Sequence, residues 1–258
     1  MPAGGSQLER YARALNAVEI KSSFYRAHAL ETYERWAGAT PDGFGFSVKL
    51  PRTITYFARL KNCDAMLDRF ISEVSGLGDK LGVLLVQLPP KLTFDEQIAG
   101  RFFDGLQARI AAPVALEPRN ASWFAPDMDE WLAEHCVARV ASDPARAPDA
   151  GEPAGWNGLV YYRWHGLPRT YYSSYDDAAL AALRHRLDES VDGGAETWCI
   201  FDNTASGAAF ANARALASSE SPSEFRELSG MPRLVLLASR GRRGAQSAPS
   251  RRIPHSPQ

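Results

Sequence analysis

Residues 1–217 are predicted to form an α/β fold, a TIM-type (β/α) barrel lacking its first strand. Three observations give that class. Strand-like and helix-like periodicities alternate along the chain, the pattern of repeated βα units around a parallel sheet. Several strand segments are near-continuous apolar runs, as expected where both faces of a parallel sheet are covered. No GxGxxG or GxxxxGK(S/T) loop is present to favour a dinucleotide-binding or P-loop sheet.

The chain opens on a helix: Ser6 and Glu9 form an S-x-x-E capping box ahead of Leu8, Tyr11, Ala12 and Leu15 at helical spacing. Only five residues precede it, too few for a strand, so the first strand is expected to be absent and two sheet edges unpaired. Seven candidate strands follow: "AVEIKSSF", "FGFSVKLP", "LGVLLVQLP", "PVALEPR", "VARVASD", "GLVYYRWH" and "TWCIFDN". Between them, Cys63, Met66, Leu67, Phe70, Ile71 and Val74 recur at helical spacing, as do Ile98, Phe102, Leu106 and Ile110. Asp127 and Asp176 stand where N-caps belong. Residues 218–258 are set apart as a C-terminal extension. Its last twenty residues, "SRGRRGAQSAPSRRIPHSPQ", hold Arg240, Arg242, Arg243, Arg251 and Arg252 without an acid, which predicts a disordered basic tail and leaves the body mildly acidic. Such a tail can meet RNA or an acidic partner.

A chain of 258 residues suits one large α/β domain. Hydrophobic residues make up 45% and charged residues 23%, and no apolar run approaches the length of a membrane span. "MPAGGSQLERY" has neither the basic start nor the apolar stretch of a signal peptide, so a cytoplasmic location is expected. Cys63, Cys136 and Cys199 are odd in number, far apart and free of CxxC spacing, which points to plain thiols.

Seven motifs in order, "NAVEIKSSFYR", "TPDGFGFSVKLPRTIT", "LGVLLVQLPP", "ALEPRNASWF", "YYRWHG", "YYSSYDD" and "IFDN", resemble those of the domain of unknown function 72, or YecE-like, family, from about Gly5 to Leu216. The resemblance implies a TIM-type barrel and no established activity. The family's usual opening strand, with a Gly-Thr-Ser-Gly-Trp-like segment, is absent here. Lys21 stands where the family usually shows Asn, and Asp202 where it often has Asn.

Residues two apart on a strand share a face. Glu19 and Lys21, Glu117 and Arg119, and Arg163 and His165 are therefore same-face polar pairs, each after the apolar part of its strand. Lys49, Gln87 and Asp143 also end strands, and Asp202 and Asn203 close the last one. In a parallel barrel those ends meet at one rim, where TIM-barrel sites are built. Phe24, Tyr25, Trp123, Trp164, Tyr171, Tyr172 and Tyr175 stand beside these ends as candidate walls; Tyr25, Trp123 and Tyr175, in loops after the charges, are the preferred three. The same charges in a structural role would pair with one another and cap the core.

Lys21, Lys49, Arg119 and Arg163 offer cations, and guanidinium forks suit carboxylate or phosphate. "NTASGAAFANA" places small residues at the start of the last helix, where an anion is favoured, although Ser206 and Gly207 equally suit close helix packing. His165, the only histidine at a strand end, suits general-base work. Glu19, Glu117, Asp143 and His165 together would make a mixed oxygen and nitrogen set tolerable to Mn or Mg, which the neighbouring cations oppose, so no metal site and no particular cofactor is assigned.

The leading expectation is a hydrolase or lyase using acid–base chemistry on a phosphorylated or carboxylated small molecule. Glu19, Glu117, His165 and Asp143 would be catalytic; Lys49, Gln87, Arg119, Arg163, Asn203, Tyr25, Trp123 and Tyr175 would bind substrate. One alternative is a nucleic-acid binder or metal-dependent nuclease, favoured by the basic tail and opposed by the acidic body. The other is a non-catalytic ligand-binding or degraded barrel.

Overall fold

A computed structural model describes residues 5–218 and 233–237. The basic tail falls outside the described residues. Helix α1 (Gln7–Ala12) carries the capping box foreseen at its start, with Ser6 accepting from the Glu9 amide and Glu9 accepting from the Ser6 amide. The seven predicted strands all form. They are β1 (Ala17–Ile20), β2 (Gly45–Lys49), β3 (Leu81–Gln87), β4 (Val114–Glu117), the pair β5 (Val137–Arg139) and β6 (Ala141–Asp143), β8 (Leu159–Trp164) and β9 (Glu196–Phe201). A two-residue strand, β7 (Ala154–Gly155), pairs antiparallel with β5.

The sheet runs in the order β6-β8-β9-β10-β1-β2-β3-β4-β5-β7, where β10 is Arg233–Leu237. This corrects the expectation of a barrel without its first strand. β10 stands between β9 and β1, parallel to both, with Ala17 opposite Val235 and Trp198 opposite Arg233. The place between β9 and β1 is taken by a strand from beyond residue 217. The physical reason is the sheet edge itself: β1 and β9 each present a row of unpaired amides and carbonyls, and a short apolar run satisfies both.

Helices α2 (Leu30–Gly38), α3 (Asp64–Val74), α4 (Glu96–Gln107), α5 (Met128–Glu134), α6 (Asp177–Asp192) and α7 (Ala208–Ser218) lie between strands. Their apolar faces meet the outward side chains of the sheet, such as Val18, Ile20, Phe46, Val48, Leu84, Val86 and Leu116, in one continuous core. Asp176 caps α6 by accepting from the Ala179 amide at 2.8 Å, whereas Asp127 precedes α5 without a side-chain cap bond. Among the described residues no helix is long and apolar enough to cross a membrane.

The inward side chains form a second, separate cluster: Ala17, Val83, Leu85, Ala115, Ala138, Val140, Leu159, Tyr161, Trp198 and Ile200. Trp198 fills the N-terminal end of this inner space, and a Cβ on Gly82 would stand 2.3 Å from its indole and one on Gly45 2.9 Å from it. Arg233 lies over the same ring, donates to Gly43 O at 3.0 Å and faces Glu196 at 3.4 Å, anchoring the start of β10. Alternation therefore sends Val18 and Ile20 to the helices and Ala17 and Glu19 inward, which accounts for the charge in an otherwise apolar strand.

Candidate functional site

Arg163 is the centre of the polar end of the inner space. It is 2% exposed. Its Nε and Nη2 donate to the two oxygens of Glu19 at 3.1 and 2.9 Å, and its Nη1 donates to Glu117. β8 lies three places from β1 and six from β4 in the sheet order. In a flat sheet six strand spacings come to about 29 Å, so these bonds require a strongly curled sheet. Around this fork, Tyr161 OH donates to Glu19 at 2.9 Å, and Ser47 Oγ lies 2.7 Å from that hydroxyl. Gln87 Nε2 donates to Glu117 at 2.8 Å, and Lys49 Nζ donates to Gln87 Oε1 at 2.6 Å. Arg119 Nη2 approaches Glu117 Oε1 at 3.6 Å. Asp202 reaches Lys21 at 3.1 Å, Arg163 at 3.7 Å and His165 Nδ1 at 3.4 Å.

Charge and burial set the protonation states. Burial alone would raise the Glu117 carboxyl, but the Arg163, His165, Arg119 and Lys49 charges overcome it and hold Glu117 well below the usual carboxylate range. Burial likewise opposes ionisation of Asp202, and the approach of His165 with the charges of Arg163 and Lys21 lowers it. Burial works against the Arg163 cation; Glu19, Glu117 and Asp202 more than restore it. Lys49 goes the other way. Burial and then the Arg163 charge pull it down to about 8, with Glu117 and Glu19 opposing.

Glu19, Lys49, Gln87, Glu117, Arg119, Arg163 and His165 thus converge, with Asp202 beside them. Sequence reasoning did not single out Tyr161, Ser47 or Tyr56. Tyr161 was readable as an inward position, two before Arg163 on its strand; Tyr56 carried no such mark, because it sits in the irregular Thr53–Phe57 turn after β2, within reach of the Arg119 and Glu117 charges. Phe24 lies under Lys49, with Nζ 4.2 Å from the ring centre. Tyr25 is exposed, stacked edge-on against Phe24.

Other candidates hold loops. Tyr175 OH donates to Asp143 and accepts from the Gly166 amide at 2.8 Å. Asn203 Nδ2 donates to Ser173 O at 2.9 Å and Asn212 Oδ1 at 2.8 Å. Ser206 donates to Tyr172 O, so the start of α7 is tied to the same 166–175 loop, whose Tyr171 lies edge-on over His165. Trp123 turns into the helix–sheet core, where its Nε1 donates to Leu92 O at 3.0 Å and its ring meets Phe94. Among the described residues no group of three or more His, Cys, Asp or Glu side chains is placed to hold a metal ion.

A family model described as "Protein of unknown function DUF72" matches residues 2–231. The chain belongs to the DUF72 family. It is 34% identical over 156 residues to UPF0759 protein YecE of Escherichia coli, covering 58% of this chain and 56% of that protein. It is 27% identical over 164 residues to UPF0759 protein YunF of Bacillus subtilis, covering 55% and 54%. The chain spans about half the length of the curated relatives it matches. Crystal structures of DUF72 family proteins share its fold. One from Enterococcus faecalis superposes with a TM-score of 0.71 at 23% identity, covering 82% of this chain and 92% of that one. One from Thermotoga maritima superposes with a TM-score of 0.65 at 22% identity, covering 79% and 84%. Lys21 and Asp202 form an ion pair with each other at 3.1 Å. The cation that follows β1 is matched by the anion that follows β9.

Proposed function

We propose that this DUF72 protein is a hydrolase or lyase for a small carboxylated or phosphorylated molecule, which it binds at the C-terminal ends of a closed eight-stranded (β/α) barrel. Closure is supported by the segment from Val137 to Asp143. Its first half pairs with β4 and its second half with β8, with Val140 alone between them donating to Leu116 O at 2.9 Å. Three unpaired cysteines, at 63, 136 and 199, support a reducing cytoplasmic setting.

One observation carries the site. Among the described residues, six buried side-chain atoms lack a partner in hydrogen-bond geometry: Thr55 Oγ1, Glu117 Oε1, Arg119 Nε, both ring nitrogens of His165, and Asn203 Oδ1, although Glu117 Oε1 lies 3.6 Å from Arg119 and His165 Nδ1 lies 3.4 Å from Asp202. All lie at, or in the loops after, the C-terminal ends of strands. Leaving such a group unpaired costs about 1–3 kcal/mol, so their concentration at one end supports a polar ligand that completes them. The enclosure of the cluster favours a small anion over a polymer.

In this reading Arg119 holds the anion with its free Nε, and His165 takes or returns a proton. Glu117 acts as a fixed charge that orients Arg163, since a carboxyl held so far below its ordinary range does not shuttle protons at neutral pH, and Glu19 orients the same guanidinium by accepting from its Nε and Nη2. Tyr25, exposed at the rim, is available to a ligand's outer part.

The test is thermal unfolding with inorganic phosphate, phosphorylated sugars and short carboxylates at millimolar concentration, where stabilisation follows RT ln(1 + [L]/Kd). The reading expects one anion class to raise Tm in the native chain and Arg119→Gln to abolish the rise. Equal shifts in both proteins, or none with any anion, overturn it.

A further inference from the structure

Lys49 occupies an unusual position for a cation. It ends β2 on the inner face, two residues after Ser47, and is 8% exposed. Its Nζ has one neutral acceptor, the Gln87 amide oxygen, and the face of Phe24 beneath it. Among the described residues it stands in no ion pair, because Glu19 and Glu117 are both occupied by Arg163. The four other lysines of the chain are disposed differently. Lys80 donates to Ala37 O and Thr40 O, Lys21 pairs with Asp202, and Lys61 and Lys91 are exposed.

We propose that Lys49 is a nucleophilic amine that condenses with the carbonyl group of a small anionic oxo acid or aldehyde phosphate to form an imine. The proposal rests on the anion-site reading above and narrows it to the lyase branch. An ammonium that has lost water and gained only an amide and a ring favours the neutral, nucleophilic form. Its pKa of about 8 leaves about half of the amine free at pH 8, against less than about 1% for an ordinary lysine. The substrate's anionic group would be held by Arg119, two residues after the end of β4, which lies two strands from β2. Gln87 spans the interval on β3, touching Lys49 with its oxygen and Glu117 with its nitrogen.

The step balances without a cofactor. The nitrogen lone pair forms the C–N bond, the carbonyl π pair moves to oxygen, and that oxygen leaves as water with two protons. Net, an ammonium and a carbonyl become a protonated imine and one water. The cation so formed draws electrons from the adjoining carbon, which is the chemistry that a lyase or an α-proton transfer requires.

The full chain would be incubated separately with pyruvate and with glyceraldehyde 3-phosphate in the presence of sodium cyanoborohydride, then mapped by peptide mass spectrometry. With at least one probe, the expected result is a reduced adduct at Lys49, exceeding labelling at Lys61 and Lys91 by at least tenfold, with a trapping rate that rises through pH 8. In Lys49→Arg that adduct disappears; should the variant not fold, site mapping in the native chain decides. No adduct at Lys49 with either probe, or labelling no greater than at the exposed lysines, overturns the proposal. The two readings separate through inorganic phosphate, which has no carbonyl. A phosphate-dependent Tm shift that Arg119→Gln abolishes, without an adduct, rejects the imine and keeps the anion site; loss of both rejects both.

Discussion

The two ends of the inner sheet face solve the same packing problem with opposite chemistry. At the N-terminal end Trp198 fills the space, and glycines at 45 and 82 make room for its ring. At the C-terminal end the space is filled by charged groups, Arg163 between Glu19 and Glu117, then Lys49 and Arg119, with the neutral Gln87 amide bridging Lys49 and Glu117. Apolar packing needs only volume and shape, and it closes the first end completely. The ionic end rests on Arg163 keeping both carboxylates, and it is where buried atoms lack partners in hydrogen-bond geometry. A fold seeking stability alone would extend the apolar plug, since well-packed apolar side chains often match or exceed a buried ion cluster. The contrast teaches that the two ends depend on different physics, pairing of charge at one and filling of volume at the other.

The comparison breaks most sharply at Arg163. Arg163→Met strands two buried carboxylates and should cost about 3–5 kcal/mol, a Tm loss of roughly 6–20 °C for a domain of this size. A loss of under a few degrees would mean that the cluster is not held as a unit. Gly82→Ala tests the other end. A Cβ there meets Trp198, and overpacking should cost about 1–3 kcal/mol while anion-induced shifts stay unchanged. If that variant also removes the anion response, the two ends are not independent.

Acid provides a finer probe. Glu117 has a folded-state pKa below its unfolded value of about 4.5, so its stabilising share is full above that value and is lost as pH falls toward the folded value. Urea midpoints should therefore decline from pH 5 to pH 3 more steeply in the native chain than in Glu117→Gln; parallel curves would remove the ionic account of this residue. Lys49 has the reverse linkage, since its folded pKa of about 8 lies below the unfolded 10.5. The unfolded chain binds the extra proton between these values, so stability should rise from pH 8 to 10.5, and Lys49→Met should flatten that rise. The smallest effect belongs to the Lys21–Asp202 pair. Lys21 is about one-third exposed, so Lys21→Asn should cost at most about 1 kcal/mol by thermal unfolding. Asp202→Asn should cost more, because Asp202 also faces Arg163 and His165, and the double variant should cost less than the two separately.

Period-2 alternation was enough to put Glu19 with Lys21, Glu117 with Arg119 and Arg163 with His165 on shared faces, because a strand's side chains have only two directions to take, and the ends of the apolar runs placed Lys49 and Gln87 at the same rim. It was enough, too, for the seven strands and for the capping box at Ser6 and Glu9, since those features are local. Pairing across the sheet is not local. That one guanidinium serves carboxylates 144 and 46 residues away follows from sheet curvature, which no short stretch encodes. Loop anchoring is equally hidden: Asp143, Asn203 and Tyr175 end strands or follow them as the converging residues do, yet they are engaged by backbone and side-chain partners of the 166–175 loop and α7.

"RLVLL", residues 233–237, shows the same division. Its composition permits a strand, but a four-residue apolar run after Arg233 carries no address, and only the open edges of β1 and β9 decide where it goes. By itself, then, the sequence determined the family, the strands and the face on which each charge lies, because these depend on neighbours a few residues apart. The tertiary structure alone decided which charges meet, which remain unpaired and which strand completes the sheet, because those outcomes depend on distances between residues that the chain brings together only when it folds.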